Sequence, residues 1–182
     1  LVFAIAVGSV STAHATVFDY LAFLDGATES PPVLTAGIGT GQVTIDDVAL
    51  TMRVQASFAG LTGNTTASHI HAATAVAGTG NAGVATTTPT FAGFPLGVKS
   101  GVYDITLDMT LASSYNASYV TANGGTTASA RAALFAAIAA GKAYLNIHST
   151  FVGSGEIRGF LLPFNPTSTN PSTWGRIKTL YR

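Results

Sequence analysis

The chain has 182 residues, 47% of them hydrophobic and only 9% charged, with eight basic and eight acidic side chains in balance. That length suits one domain with a covered core, and the neutral balance argues against electrostatic capture of nucleic acid. The absence of cysteine excludes disulfides, thiolate metal sites and a cysteine nucleophile.

Residues 1–15 open on an apolar run from Leu1 to Val7, pass Gly8 and Ser9, and reach Ala13-His14-Ala15, an A-x-A cleavage pattern. Neither Met nor a basic stretch precedes the run, so it reads as a signal peptide truncated at its N-terminus, with a first core strand as the alternative. Cleavage there makes Thr16 the mature start and places the protein outside the cell or in a periplasm. No later stretch reaches the ~18 apolar residues that span a bilayer. The surface polarity comes mainly from Thr, Ser, Asn and Gly, as in many extracellular β proteins.

The body reads as strands. Leu50, Met52, Val54, Ala56 and Phe58 alternate with Thr51, Arg53, Gln55 and Ser57, the period of a half-buried strand. Tyr103, Ile105, Leu107, Met109 and Leu111 alternate in the same way with Asp104, Thr106, Asp108 and Thr110. Shorter candidates cover residues 16–23, 41–45, 67–72, 142–149 and 156–162. Asp46-Asp47 is a turn signal, and the run Gly37-Ile38-Gly39-Thr40-Gly41 reads as a turn rather than a nucleotide loop, since no helix follows it.

Residues 127–140 are Ala-rich, with Ala130, Leu134, Ala137 and Ile138 on one face. Thr126, Thr127 or Ser129 serves as N-cap, and Gly141 stands where a C-terminal glycine belongs. Many short strands, one helix and no βαβ rhythm predict an all-β antiparallel sandwich or Greek-key barrel-like domain with one short Ala-rich helix. There are no repeats. Pro163, Pro166 and Pro171 then punctuate a linker-like stretch that leads to a basic end, Trp174 to Arg182. In that end Trp174, Ile177 and Tyr181 fall at helical spacing; the readings are a frayed terminus or a surface-attachment or sorting signal.

Beyond residue 15 three histidines remain, and two form His69-Ile70-His71. The period of a strand puts both imidazoles on one face, roughly 6.5–7 Å apart at Cα, within reach of one metal ion. In the 142–149 strand, Leu145 and Ile147 face the core, leaving Tyr144, Asn146 and His148 opposite. In the next strand Ile157 and Leu161 take the apolar face, which leaves Glu156 and Arg158 beside His148. Glu156 is then either a carboxylate near a His69/His71/His148 site or the partner of Arg158 in an ion pair. Zinc or copper suits imidazole donors; calcium does not. No G-x-S-x-G elbow, Walker loop or H-E-x-x-H occurs. Asn64-Thr65-Thr66 and Asn116-Ala117-Ser118 match the glycosylation sequon.

Several phrases together resemble the CHRD (chordin-type) domain: Gly26-Ala27-Thr28-Glu29-Ser30-Pro31-Pro32-Val33, Gly60-Leu61-Thr62-Gly63, Ala67-Ser68-His69-Ile70-His71, Gly141 to Ser149, and Gly155-Glu156-Ile157-Arg158-Gly159. The resemblance covers about residues 19–162 and is similar to that of bacterial secreted CHRD proteins. It implies a CHRD domain over 16–162, flanked by the signal peptide of 1–15 and a linker with a basic tail over 163–182. It also implies an extracellular, sandwich-like module. The candidates for a carboxylate ligand or for support around the histidines are Glu156, Arg158, Asn146 and Glu29. The H-x-H strand is similar to the copper ligands of Cu/Zn superoxide dismutases, but that family needs more histidines, a zinc aspartate and a disulfide.

Two functional readings follow. The first is a non-enzymatic extracellular binding or structural module that contacts a protein or surface component and holds one copper or zinc ion at the histidines. The second is a metal-dependent extracellular oxidoreductase with a superoxide-dismutase-like histidine site.

Overall fold

The computed structural model describes residues 17–164. The signal-peptide reading of 1–15 and all but residues 163 and 164 of the linker and basic tail expected over 163–182 lie outside the described residues. The elements run β1 (Val17–Asp25), β2 (Ile38–Asp46), β3 (Thr51–Ala59), β4 (Thr65–His71), β5 (Gly101–Asp108), α1 (Ala117–Ala122), α2 (Thr127–Ala139), β6 (Tyr144–Ser149), β7 (Ile157–Phe160) and β8 (Leu162–Pro163). All strand pairs are antiparallel, and they form one sheet in the order β4-β6-β7-β1-β2-β3-β5, with β8 on β1. The all-β antiparallel class expected from the sequence is the observed one, built as a single curled sheet.

The curl has a local cause. The strand expected at 41–45 begins three residues earlier, so Ile38, Gly39 and Thr40 of the run read as a turn open β2. A Cβ on Gly41 would lie 2.5 Å from Leu145 Cδ2 on β6, although β7 and β1 stand between those strands in the sheet. The missing Cβ at Gly41 leaves room for the Leu145 side chain where the sheet closes over itself. At one end the two edges meet: Thr65 N–H donates to Val98 O (2.8 Å) and Leu61 N–H to Lys99 O (3.1 Å). The core inside the curl includes Leu24, Val43, Met52, Val54, Ile70, Leu145 and Ile157.

The helix at 127–139 is capped by Thr126, whose side chain and that of Ser129 exchange bonds with each other's backbone N–H. Ala130, Leu134, Ala137 and Ile138 are its buried face, and Gly141 follows at φ +65°, as expected. The short helix α1, capped by Asn116, had no apolar periodicity to announce it. The strand at 101–108 differs from expectation. Tyr103 is buried, but Ile105 is 38% exposed, Leu107 only half-buried, and Met109 and Leu111 lie beyond the strand's end. The reason is position: β5 pairs only with β3, so its inward side chains have neighbours on one side alone.

The free edge of β4 is covered by the long segment between β4 and β5. Ile70 N–H donates to Thr86 Oγ1 (2.9 Å), Ser68 N–H to Thr90 Oγ1 (3.0 Å), and Phe91 N–H to Ser68 O (3.2 Å). Side-chain hydroxyls thus stand in for part of a missing strand.

Candidate functional site

The site begins with register. β4 pairs with β6 so that Ala67 faces His148, His69 faces Asn146 and His71 faces Tyr144. Alternation then puts His69, His71, Asn146 and His148 on one face, while Ile70, Leu145 and Ile147 enter the core. The neighbour relation between the two histidine strands, which no spacing rule supplied, is direct pairing. One ligand nitrogen from each of His69, His71 and His148 lies within 4.8 Å of the other two, and all three residues are buried.

Each ring is held from outside by a backbone carbonyl. His69 Nε2 lies 2.7 Å from Pro89 O, His71 Nδ1 2.9 Å from Ala82 O, and His148 Nδ1 3.0 Å from Gly153 O. A carbonyl only accepts, so the ring nitrogen facing it carries the proton. Burial lowers the pKa of all three imidazoles, and His71 falls to about 4. Its Ala82 carbonyl opposes that fall, and the neighbouring His148, His69 and Arg158 deepen it. At neutral pH the rings are therefore uncharged, each with one proton, and that proton points outward.

The consequence lies inside. Three bare lone pairs converge: Nδ1 of His69, Nε2 of His71 and Nε2 of His148. His69 Nδ1 and His148 Nε2 stand 3.2 Å apart, and in this tautomeric state neither has a proton to offer the other. His71 Nε2 is buried with no hydrogen-bond partner. Opposed lone pairs and an unpaired buried acceptor are unfavourable alone, and a cation among them removes both defects. Tetrahedral bonds of 2.0–2.1 Å to imidazole nitrogen set ligand atoms about 3.3 Å apart. The His69–His148 separation fits that spacing, and the third ligand nitrogen, from His71, lies within 4.8 Å of both.

The carboxylates do other work. Glu156 is fully buried and turned to the loop after β3 and the end of β6. Its Oε1 accepts from Thr62 N–H (2.5 Å) and Thr35 Oγ1 (2.6 Å), and its Oε2 from Gly63 N–H (3.1 Å) and Ser149 Oγ. Burial pushes its pKa up, but these bonds outweigh burial and hold it below the usual carboxylate range. It is a clamp, with its lone pairs engaged. The ion pair between Glu156 and Arg158, one of the two readings of Glu156, does not form; Arg158 lies instead 3.7 Å from Glu29 Oε2. Arg158 also donates to Thr28 O (2.7 Å) and Asn81 Oδ1 (2.7 Å), with its guanidinium 4.6 Å over the Tyr144 ring. Tyr144 stacks in turn on His71, centroids 4.8 Å apart and planes 7° from parallel.

Asn146 donates to Glu29 Oε1 (3.1 Å), and its own Oδ1 has no partner. Burial raises Glu29 to about 7, against the pull of Arg158 and Asn146. The structure thus gathers the three histidines in one cluster and Glu29, Asn146 and Arg158 in an adjoining one bridged by Tyr144. Alternation already puts Tyr144 on the face of Asn146 and His148, but no motif marks it as the bridge between the two clusters. The pinning carbonyls of Ala82, Pro89 and Gly153 leave no mark in a sequence at all.

Comparison with protein-family models matches the CHRD domain over residues 20–161. No curated protein and no solved structure matches the chain. No helix among the described residues is long and apolar enough to cross a membrane. The matched region contains every residue of both clusters, and the chain belongs to the CHRD family.

Proposed function

We propose that this CHRD-family chain is a secreted binding module whose loops are fixed by one zinc or copper ion held by His69 Nδ1, His71 Nε2 and His148 Nε2. The observation that carries the reading is the set of three outward N–H groups pinned by carbonyls, which turns three lone pairs onto one point. Carbonyl-oriented imidazoles are the outer-shell arrangement of metal sites generally, and neutral imidazole donors without a carboxylate suit zinc or copper. The ion's place also speaks for a structural role. It would join β4 and β6 to the segments carrying Ala82, Pro89 and Gly153, and all three rings are buried, which leaves little room for a substrate. The module's partner is then an extracellular protein or surface component met by the outer surface rather than by the ion.

The test is thermal. Zinc or copper at 100 times its dissociation constant stabilises the native state by ~2.7 kcal/mol, which raises the melting temperature by about 5–10 °C for a domain of this size. His71→Ala should lose that rise. No rise in the parent protein, together with no metal retained after dialysis, contradicts the proposal. Consumption of superoxide by the copper-loaded protein faster than by free copper would instead support the oxidoreductase reading.

A further inference from the structure

The half of the sheet away from the histidines presents an open outer face with an unusual composition. Alternation and register align it in rows across β1, β2, β3 and β5: Phe23, Thr40, Ser57 and Val102 form one, and Leu21, Gln42, Gln55 and Asp104 the next. Phe23 is 71% exposed, Val102 77% and Ile38 64%, and Leu162 and Phe164 extend the apolar surface beside Leu21. Grooves of about 440–450 Å³ run along it, and Phe23 lines two of them. Clustered exposed apolar side chains of this kind are where a partner segment can dock.

The same face is acidic. Asp19, Asp25, Asp46, Asp104 and Asp108 all occupy outward positions, and Arg53 is the one basic residue among those rows. Arg53 is already engaged by Asp104 at 2.5 Å. An occupant matched to this face is basic and apolar together.

The chain itself supplies such a segment. Phe164, the last described residue, lines the groove beside Leu21 and Leu162, and its N–H donates to Asp19 O (2.8 Å). The chain therefore leaves the domain on this face. Residues 174–182 follow, with Trp174, Ile177, Leu180 and Tyr181 interleaved with Arg176, Lys178 and Arg182 and no acidic residue. The nine residues between, 165–173, reach up to about 30 Å when extended, against about 14 Å across four strands. We infer that Trp174–Arg182 docks in cis on the outer face of β1, β2, β3 and β5, its aromatic side chains beside Phe23 and Val102 and its basic ones toward the aspartates. Tethering supplies an effective concentration in the millimolar range, enough for a weak contact to persist.

Trp174 is the chain's one tryptophan, so its fluorescence reports the contact alone. In the full chain, docking gives a blue-shifted emission and several-fold weaker quenching by acrylamide than for free tryptophan. Phe23→Thr and Val102→Thr, both at exposed strand positions, should each shift the emission to the red, as should added salt. Leu34→Thr, on an exposed loop residue away from the grooves, should leave it unchanged. Far-ultraviolet circular dichroism of each variant confirms that the sheet is intact, and either face variant suffices if the other fails to fold. A fully solvated Trp174 in the parent chain overturns the inference, as does an emission indifferent to both face variants. A blue shift that grows with protein concentration also overturns it, since the occupant is then the tail of a second copy.

Discussion

The two halves of the sheet use polar residues in opposite ways. In β1, β2 and β3 buried and exposed positions alternate, and Thr, Gln, Ser and Asp face solvent. In β6 and β7 every residue is buried, on both faces, and His148, Asn146, Glu156 and Arg158 lie under loops. A polar side chain on the open half is satisfied by water and tolerates exchange. One in the covered half must find its partner within the protein or leave an unfavourable group. The outer face can therefore serve by its shape and charge, whereas the covered half retains specific donors and acceptors.

The largest expected effect lies in the covered half. Glu156→Ala removes the acceptor of two amides and two hydroxyls in a site without solvent, and should destabilise by about 3–5 kcal/mol in urea unfolding. A loss below 1 kcal/mol would show that the covered half is no more demanding than the open one.

Next comes a dependence on pH. Glu29 is an acid whose folded pKa, about 7, stands above its unfolded value of 4.5. Its contribution is therefore fully present below pH 4.5 and is lost as pH rises to about 7. The buried histidines act in the opposite sense, since their lowered pKa values give stability above pH 6.5 that is lost as pH falls, toward about 4 for His71. Glu29→Gln keeps the contact with Asn146 and removes the carboxylate. Relative to the parent, the variant should gain stability as pH rises from 4.5 to 7, by up to about 3 kcal/mol. A pH-independent difference would mean that Arg158 keeps Glu29 ionised throughout.

Much of this contrast was legible in the sequence. The alternation of Met52, Val54, Ala56 and Phe58 gave the open half, because a face in water needs a polar partner at every second position. The cap at Thr126 and the stop at Gly141 gave the helix, since both signals are local. His-x-His with His148 gave the candidate site, because strand geometry brings residues two apart to one face. What escaped was set by distant contacts. Residues 38–40 extend β2 ahead of the expected 41–45 because they pair with Phe23, Leu24 and Asp25 of β1 and with Ser57, Phe58 and Ala59 of β3, and Ile105 and Leu107 are less covered than their pattern suggests because β5 is an edge. Arg158 meets Glu29 rather than Glu156 because Thr62 and Gly63 already occupy the nearer carboxylate.

A smaller effect tests the curl. Gly41→Ala places a methyl 2.5 Å from Leu145 Cδ2, and Leu145 is fully buried, so the variant should lose about 1–3 kcal/mol by overpacking. On the open face, Ser57→Ala should change stability by less than about 0.5 kcal/mol. Equal losses at the two positions would erase the distinction between inward and outward rows.

Ring nitrogen-15 resonance of the histidines observes directly whether the three imidazole lone pairs face one another. The metal-free protein near neutral pH should show His69 protonated at Nε2, and His71 and His148 protonated at Nδ1. Added zinc should then shift His69 Nδ1, His71 Nε2 and His148 Nε2 and leave the outward nitrogens as they were. A proton found on His71 Nε2, or zinc that moves none of the three inward nitrogens, would contradict the account.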